Sequence, residues 1–211
     1  MGLVKVVLAD DHTLVLEAFR QLLSSEVDIV GTAADGRELI KVVREKKPDV
    51  VVTDISMPVL NGLDAGIKLL KLLPDLKIIF LTVSDDPDVV ADVIRAGVKG
   101  YLLKSSASSE LMQAIRAVAA GSTYITPLVT GDMLSSLLKG GKRDLFEKLT
   151  VRQREILQLL AEGKTMKETG RILSVTPRTV AFHKYRIMET LGIENSSQLI
   201  RFAMKNGLFD T

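Results

Sequence analysis

The chain has 211 residues, 46% of them hydrophobic and 26% charged, with 28 Lys plus Arg against 26 Asp plus Glu. That composition excludes a disordered chain and can fill a core, in one large domain or two small ones. With no Cys and only two His, the chain has no disulfide scaffold, Cys-ligated zinc, iron–sulfur cluster or thiol nucleophile, and little for a histidine metal site. The opening MGLVKVVLADDH reaches two Asp too early for a signal peptide, and no later stretch approaches about 18 uncharged apolar residues. A soluble, cytoplasmic protein without a membrane partner is expected. The net charge of +2 hides an asymmetry: residues 1–121 hold 14 basic and 17 acidic side chains, net −3, and residues 122–211 hold 14 and 9, net +5. An acidic front and a basic back suggest two roles, the second on nucleic acid.

In the front half, β-branched runs at Val4–Ala9, Ile29–Ala33, Val50–Thr53, Ile78–Leu81 and Gly100–Leu103 read as strands. Each is almost continuously apolar, as in a parallel sheet buried on both faces. Between them, His12–Ser24, Gly36–Glu45, Gly62–Leu73, Asp88–Ala96 and Ser108–Ala120 repeat apolar residues at helical spacing; Leu14, Phe19, Leu22 and Leu23 mark the stripe of the first. Five alternations predict a doubly wound, flavodoxin-like α/β domain with a five-stranded parallel sheet. Its functional groups should gather beyond the C-terminal strand ends.

Asp10 and Asp11 follow the first strand and Asp54 the third. Carboxylates gathered this way repel and raise one another's pKa unless a cation neutralises them, and an oxygen-only ligand set suits Mg²⁺ before Zn²⁺. Thr82 follows the fourth strand and Lys104 the fifth. Metal ligands, a carboxylate nucleophile, a hydroxyl and an ammonium at one sheet edge make a phosphoryl-handling set. Taken singly, such an Asp is commonly a cap or turn residue and such a Lys a solvated one. The functional reading rests on all five standing at strand ends of one sheet.

LADDH, DISMPVLNGLD, IIFLTVS and GYLLKSS, in that order, resemble the receiver domain of two-component response regulators over residues 1–121. The resemblance implies that Asp54 accepts a phosphoryl group from a sensor histidine kinase. It implies Mg²⁺ held by Asp10, Asp11, Asp54 and the backbone carbonyl of Ser56, with Thr82 and Lys104 receiving the phosphoryl oxygens. Tyr101 would be the switch aromatic that turns inward as Thr82 moves; by itself it also reads as a half-buried strand residue. The output would be a changed face around the helix over 88–96, the strand over 100–103 and the helix over 108–120. Ser56 and Ser84 stand at positions that, in the family, modulate acyl-phosphate hydrolysis, so slow self-dephosphorylation is expected without an enzyme's turnover.

Residues 122–148 read as a linker, with a short amphipathic helix over Thr130–Lys139 and then Gly140-Gly141 as a flexible tether. Lys142 and Arg143 are open to two readings, solvated linker charge or phosphate contact.

From residue 149 the helix signals are dense. Thr150…Gln153, Thr165…Glu168 and Asn195…Gln198 fit or approximate capping boxes, Thr176-Pro177 is a cap followed by an N1 proline, and Gly163, Gly192 and Gly207 stand at closing positions. Four helices are predicted, at 151–161, 166–173, 177–190 and 197–206. Ile156, Leu159, Leu160, Ile172, Leu173, Val180, Ile187, Leu191, Leu199, Ile200 and Phe202 supply the buried stripes. The second and third helices are separated by Ser174-Val175-Thr176, the short turn of a helix-turn-helix. The third then leaves Arg178, Thr179, Ala181, Phe182, Lys184, Tyr185 and Arg186 for its other faces, a mixture suited to a major groove.

Residues 149–208 closely resemble the LuxR-type helix-turn-helix that ends response regulators of the NarL/FixJ group. The resemblance places Ala181, Phe182 and Tyr185 toward bases and Thr179, His183, Lys184 and Arg186 near phosphate; His183 is equally open to a packing role. It implies promoter DNA as partner, a homodimer on phosphorylation, and contact with RNA polymerase. Three departures stand out: Ala181 and Tyr185 at often basic positions, Thr169-Gly170 in place of an aliphatic residue and Ala, and Val151 in place of an N1 proline. A mid-helix Gly costs roughly 1 kcal/mol relative to Ala, so a softer scaffold helix is expected.

Two enzyme-like rivals fail on residues. A haloacid-dehalogenase-type phosphatase needs an Asp where Ser56 stands. A P-loop built on Gly163-Lys164-Thr165 needs Gly where Gln158 stands. A DNA-binding protein with a degenerate receiver is countered by the intact acidic set.

Overall fold

The computed structural model describes residues 2–83, 90, 93, 94, 96–130, 148–205 and 208, in two compact units that divide near residue 142. Most of the helix expected over 88–96, the helix over Thr130–Lys139 beyond Thr130, the Gly140-Gly141 tether, Lys142, Arg143, Ser84 and Gly207 lie outside the described residues.

In the first unit, strands β1 (Val4–Ala9), β2 (Val27–Ala33), β3 (Val50–Asp54), β4 (Lys77–Thr82), β5 (Gly100–Leu103) and β6 (Tyr124–Ile125) form one parallel sheet in the order β2-β1-β3-β4-β5-β6. Helices α1 (Thr13–Leu23), α2 (Gly36–Lys46), α3 (Gly62–Leu72) and α4 (Ala107–Ala119) alternate with the strands. Val6, Leu8, Val52, Ile79 and Leu102 pack with Leu111, Ile115 and Val118 of α4, while Val7, Val51, Ile78 and Phe80 are equally buried. Both faces are therefore covered, which is why the strands read as unbroken apolar runs. Strand order reverses between β1 and β3, so their C-terminal ends open the crevice where doubly wound folds bind ligands.

The sheet gains a strand that the sequence did not signal. Tyr124 N–H donates to Lys99 O (2.8 Å) and Thr126 N–H to Tyr101 O (2.9 Å), which covers the edge of β5. The Thr126 hydroxyl accepts from Leu103 N–H (3.2 Å) and donates to Glu110 Oε2 (3.0 Å), to which the Tyr124 hydroxyl also donates. Two residues are too few to show an alternating pattern. The stripe of α1 also differs from the expectation: Phe19 and Leu23 pack inward with Leu16, but Leu14 is 85% exposed and Leu22 is exposed as well. At 100° per residue Leu14 lies roughly 200° from Leu16, on the far side of the helix.

The second unit holds α5 (Val151–Ala161), α6 (Met166–Leu173), α7 (Pro177–Leu191) and α8 (Ser196–Lys205) around Ile156, Leu157, Leu159, Leu173, Val180, Ile187, Leu199 and Ala203. Thr150 and Thr165 form reciprocal capping boxes with Gln153 and Glu168, and Thr176 accepts from Thr179 N–H ahead of Pro177. Before α8, Asn195 accepts from Gln198 N–H, but the Gln198 side chain takes the Glu194 amide instead of completing the box. Gly163 and Gly192 are left-handed, and Ser174 closes α6 in the same conformation at φ 55°. Ile200, expected in the core, lies at the exposed rim of α8, one residue off the Leu199–Ala203 stripe.

Between α6 and α7 the chain passes close to Gly170: a Cβ there would stand 2.8 Å from Val175 O, whose amide donates to Gly170 O at 2.9 Å. The glycine thus admits a close backbone approach. Its neighbour Thr169 is fully buried, and its hydroxyl has no hydrogen-bond partner among the described residues. An orphaned buried hydroxyl costs about 1–3 kcal/mol. Thr169→Val should accordingly raise the melting midpoint of this unit by about 1 kcal/mol of stability. Gly170→Ala should lower it, because the steric conflict outweighs the roughly 1 kcal/mol gained in helix propensity. Thermal melts of the two variants check both signs.

Candidate phosphoacceptor and nucleic-acid sites

Asp54 ends β3 and is 4% exposed. Its position depends on Gly62 at the start of α3, where a Cβ would fall 1.8 Å from Asp54 O and Gly62 N–H donates to Ile55 O at 2.8 Å. Between them, Val59 holds φ at 67°, a conformation that strains a β-branched residue. Ile55 N–H extends the pairing to Leu81 O at 3.0 Å. Lys104 N–H donates to Thr82 O at 2.7 Å, which seats the lysine beside the end of β4.

The Lys104 ammonium lies 2.9 Å from Asp54 Oδ2 and 2.9 Å from Asp10 Oδ2. It donates a hydrogen bond to Asp54; its contact with buried Asp10 Oδ2 is an ion pair without an aligned hydrogen bond. Asp10 Oδ1 accepts from His12 N–H (2.8 Å), and His12 Nδ1 lies 3.2 Å from that oxygen and 3.0 Å from Asp11 Oδ1. Ser56 meets Asp54 through its amide, which donates to Asp54 Oδ1 at 3.3 Å. Thr82 is buried at the C-terminal end of β4, one residue beyond Leu81, the β4 partner of Asp54. Tyr101 on β5 is fully buried.

Burial pushes the Asp54 carboxyl up to about 6, and the Lys104 hydrogen bond and charge only partly offset it. Burial alone would lower the Lys104 pKa, but pairing with Asp10 and Asp54 overrides it and leaves the ammonium above its usual 10.5. The half-buried Lys104 ammonium thus keeps its own proton but does not offset the burial of the Asp54 carboxyl. The ligand atoms of Asp10, Asp11 and His12 lie within 4.8 Å of one another. An underserved buried carboxylate oxygen on Asp10, with Asp11 and Asp54 adding only oxygen, fits a hard divalent ion.

In the second unit, α7 buries Val180 and Ile187 and turns Arg178, Phe182, Tyr185 and Arg186 to solvent. Thr179, Ala181, His183 and Lys184 are partly covered. The Arg186 guanidinium carbon sits 5.8 Å from the Phe182 ring centroid, and His183 meets that ring edge-on at 5.6 Å. Lys184 Nζ donates to Ser196 Oγ at 2.9 Å. Sequence reasoning missed the partly buried brace behind this helix: Arg152 donates to Glu155 Oε2 (3.0 Å) and to Leu173 O (2.8 Å), the last carbonyl of α6, and Arg154 donates to Leu149 O (2.8 Å). The brace satisfies a helix-end carbonyl next to the turn. Only the burial of charged residues beside a cap could have signalled it, and burial is not written in local sequence.

The response regulator receiver domain family matches residues 6–116, and the luxR family of bacterial regulatory proteins matches residues 147–203. The chain is a two-component response regulator. It is 37% identical to the oxygen regulatory protein NreC of Staphylococcus carnosus over 98% of this chain and 99% of that one. Among solved structures, RcsB of Salmonella typhimurium aligns at 28% identity with a TM-score of 0.65, covering 96% and 97% of the two chains. RcsB of Salmonella enterica serovar Typhimurium bound to promoter P1flhDC with the phosphomimetic BeF3⁻ aligns at 30% identity and 0.62, covering 98% of each. The response regulator thus has a parallel-sheet receiver and a LuxR-type DNA-binding domain, of the NarL/FixJ type, and belongs to a family of transcription regulators. Receiver domains bind Mg²⁺ at an acidic pocket, and among the described residues no helix is long and apolar enough to cross a membrane.

Because the folded response regulator raises the Asp54 pKa, the protonated form is favoured by folding. That stability is fully present below pH 3.8 and is lost as pH rises through about 6. In metal-free buffer, Asp54→Asn should therefore be the more stable protein at pH 7.5, by up to about 3 kcal/mol, with the difference closing by pH 4. Denaturant titrations of parent and variant across this range read the difference directly.

Proposed function

We propose that this response regulator takes a phosphoryl group from a sensor histidine kinase onto Asp54 and converts that modification into control of transcription in the cytoplasm. The observation that carries the reading is the Lys104 ammonium 2.9 Å from both Asp10 and Asp54, at the crevice where the sheet changes direction. Residues 1–121 act as receiver, 122–148 as connector and 149–211 as DNA-binding domain.

The carboxylate of Asp54 attacks the phosphorus, forming an acyl O–P bond as the P–N bond to the kinase's phosphohistidine breaks and its imidazole leaves. Asp10, Asp11, Asp54 and the Ser56 carbonyl would hold Mg²⁺, which when bound would supply charge neutralisation for the phosphoryl oxygens. Lys104 leaves its place between the carboxylates to meet a phosphoryl oxygen, and Thr82 offers its hydroxyl to another. Movement of Lys104 and Thr82 is felt on β5, whose Tyr101 ring is packed within the domain. The same site gives the acyl phosphate a slow self-dephosphorylation. The phosphorylated chain dimerises, and two copies of α7 reach half-sites about one DNA turn apart. Arg178, Thr179, Lys184 and Arg186, with His183, serve phosphate contacts; Ala181, Phe182 and Tyr185 face base edges. Once on promoter DNA, the dimer acts on RNA polymerase.

Incubation with acetyl phosphate and Mg²⁺ should add one phosphoryl mass to the parent and move it toward the dimer on sizing. Asp54→Asn should show neither change, and equal phosphate uptake by that variant would overturn the assignment. On DNA, Lys184→Ala should weaken binding to all sequences alike and reduce the salt slope by about 1, as measured by anisotropy titrations at several salt concentrations.

A further inference from the structure

Phe182 and Tyr185 are the most exposed large apolar side chains described in the DNA-binding domain, at 56% and 65%. They stand three residues apart on α7, with Ala181 four before Tyr185, so all three share one face in the first turns of the helix. That is the part of a recognition helix that meets base edges. Between Pro177 and Leu191 there is no Asn or Gln, the side chains that pair bidentately with adenine. The cations lie around the aromatic face: Arg186 flanks the Phe182 ring at 5.8 Å, Lys184 is held to Ser196 Oγ at 2.9 Å, and Arg178 is in the first turn. With His183 against its edge, the Phe182 ring is braced before any ligand arrives.

We infer that the Ala181–Phe182–Tyr185 face reads thymine 5-methyl groups in the major groove, so that the preferred half-site is fixed by apolar contacts with T more than by hydrogen bonds to G. The inference rests on the reading of α7 as the DNA-contacting helix. The thymine methyl is the one apolar group that a base pair presents in the major groove, and Ala and Phe are side chains that match it. The cationic rim then supplies phosphate contacts that orient the helix without selecting sequence. A second copy of the chain fits this face less well, because Arg178, Lys184 and Arg186 would oppose their own equivalents across a symmetric contact.

The test begins with selection of bound duplexes from a random pool by the full chain with acetyl phosphate and Mg²⁺. Each thymine of the selected site is then replaced in turn by deoxyuridine, which removes only the methyl group. Affinity should fall about fourfold at one or two positions of each half-site, the expected worth of one buried methyl. Phe182→Ala should abolish the thymine–uracil difference at one of these positions. Tyr185→Ala should abolish it at another, and Tyr185→Phe should preserve it. All three variants should melt with the parent, since both positions are exposed. Equal affinity for thymine and uracil throughout the site, or a difference untouched by Phe182→Ala and Tyr185→Ala, would overturn the inference while leaving DNA binding intact. If Phe182→Ala changes the sedimentation of the free protein and not its thymine–uracil discrimination, the face is a contact between copies and the inference is wrong. Failure to select any duplex would overturn the DNA-contacting reading itself, and this inference with it.

Discussion

The shortage of positive charge at the ends of β1 and β3 governs the receiver. Asp10 and Asp54 are almost completely buried and share one ammonium, with Asp11 close to Asp10. Coulomb attraction to Lys104 is strong enough to hold the lysine's own proton but too weak to return Asp54 to an ordinary carboxylate pKa. The arrangement is stable only because the rest of the sheet is packed on both faces. It also leaves room in the charge balance for a divalent cation and then for a dianion, each of which changes where Lys104 is best placed. A fold that neutralised the cluster internally would have no reason to respond to either.

Much of this was legible from the sequence because parallel α/β topology converts chain order into position. Once Val4–Ala9 and Val50–Thr53 read as buried parallel strands, Asp10, Asp11 and Asp54 had to meet at one edge, and the ion pairs of Lys104 bring Asp10 and Asp54 to a common partner. Other features were hidden because they depend on residues distant in sequence. Gly62 reads as an ordinary helix start until the Asp54 carbonyl is found pressed against it. Tyr124 and Ile125 read as connector until β5 supplies their hydrogen-bond partners. Leu14 fitted a helical spacing that two overlapping stripes of α1 satisfy equally; only packing against the sheet chooses between them.

The DNA-binding domain was legible for the opposite reason. Its helices announce their ends locally, through Thr150, Thr165 and Thr176 and through Gly163 and Gly192, so boundaries could be placed without knowing the tertiary fold. What the caps could not give was the brace of Arg152 and Glu155 against Leu173 O, or the passage of Val175 against Gly170. Both fix the turn between α6 and α7 from behind, by burying charge in one case and omitting a side chain in the other. The turn is thereby held without help from Phe182 and Tyr185, which stay exposed on α7.

The two domains therefore use burial in opposite ways. The receiver withdraws charge from water and only partly compensates it, as the raised Asp54 pKa records. The DNA-binding domain leaves two large apolar side chains, Phe182 and Tyr185, in water on α7. Glu110 marks how the first of these is tied to the chain that follows. Its carboxylate accepts from both Tyr124 and Thr126, and Thr126 in turn holds β5 at Tyr101 and Leu103. The strand that ends beside Lys104 and the beginning of the connector thus share a hydrogen-bonded edge. Any displacement of β5 at the candidate phosphoacceptor pocket has to be accommodated in the peptide units on which the connector begins.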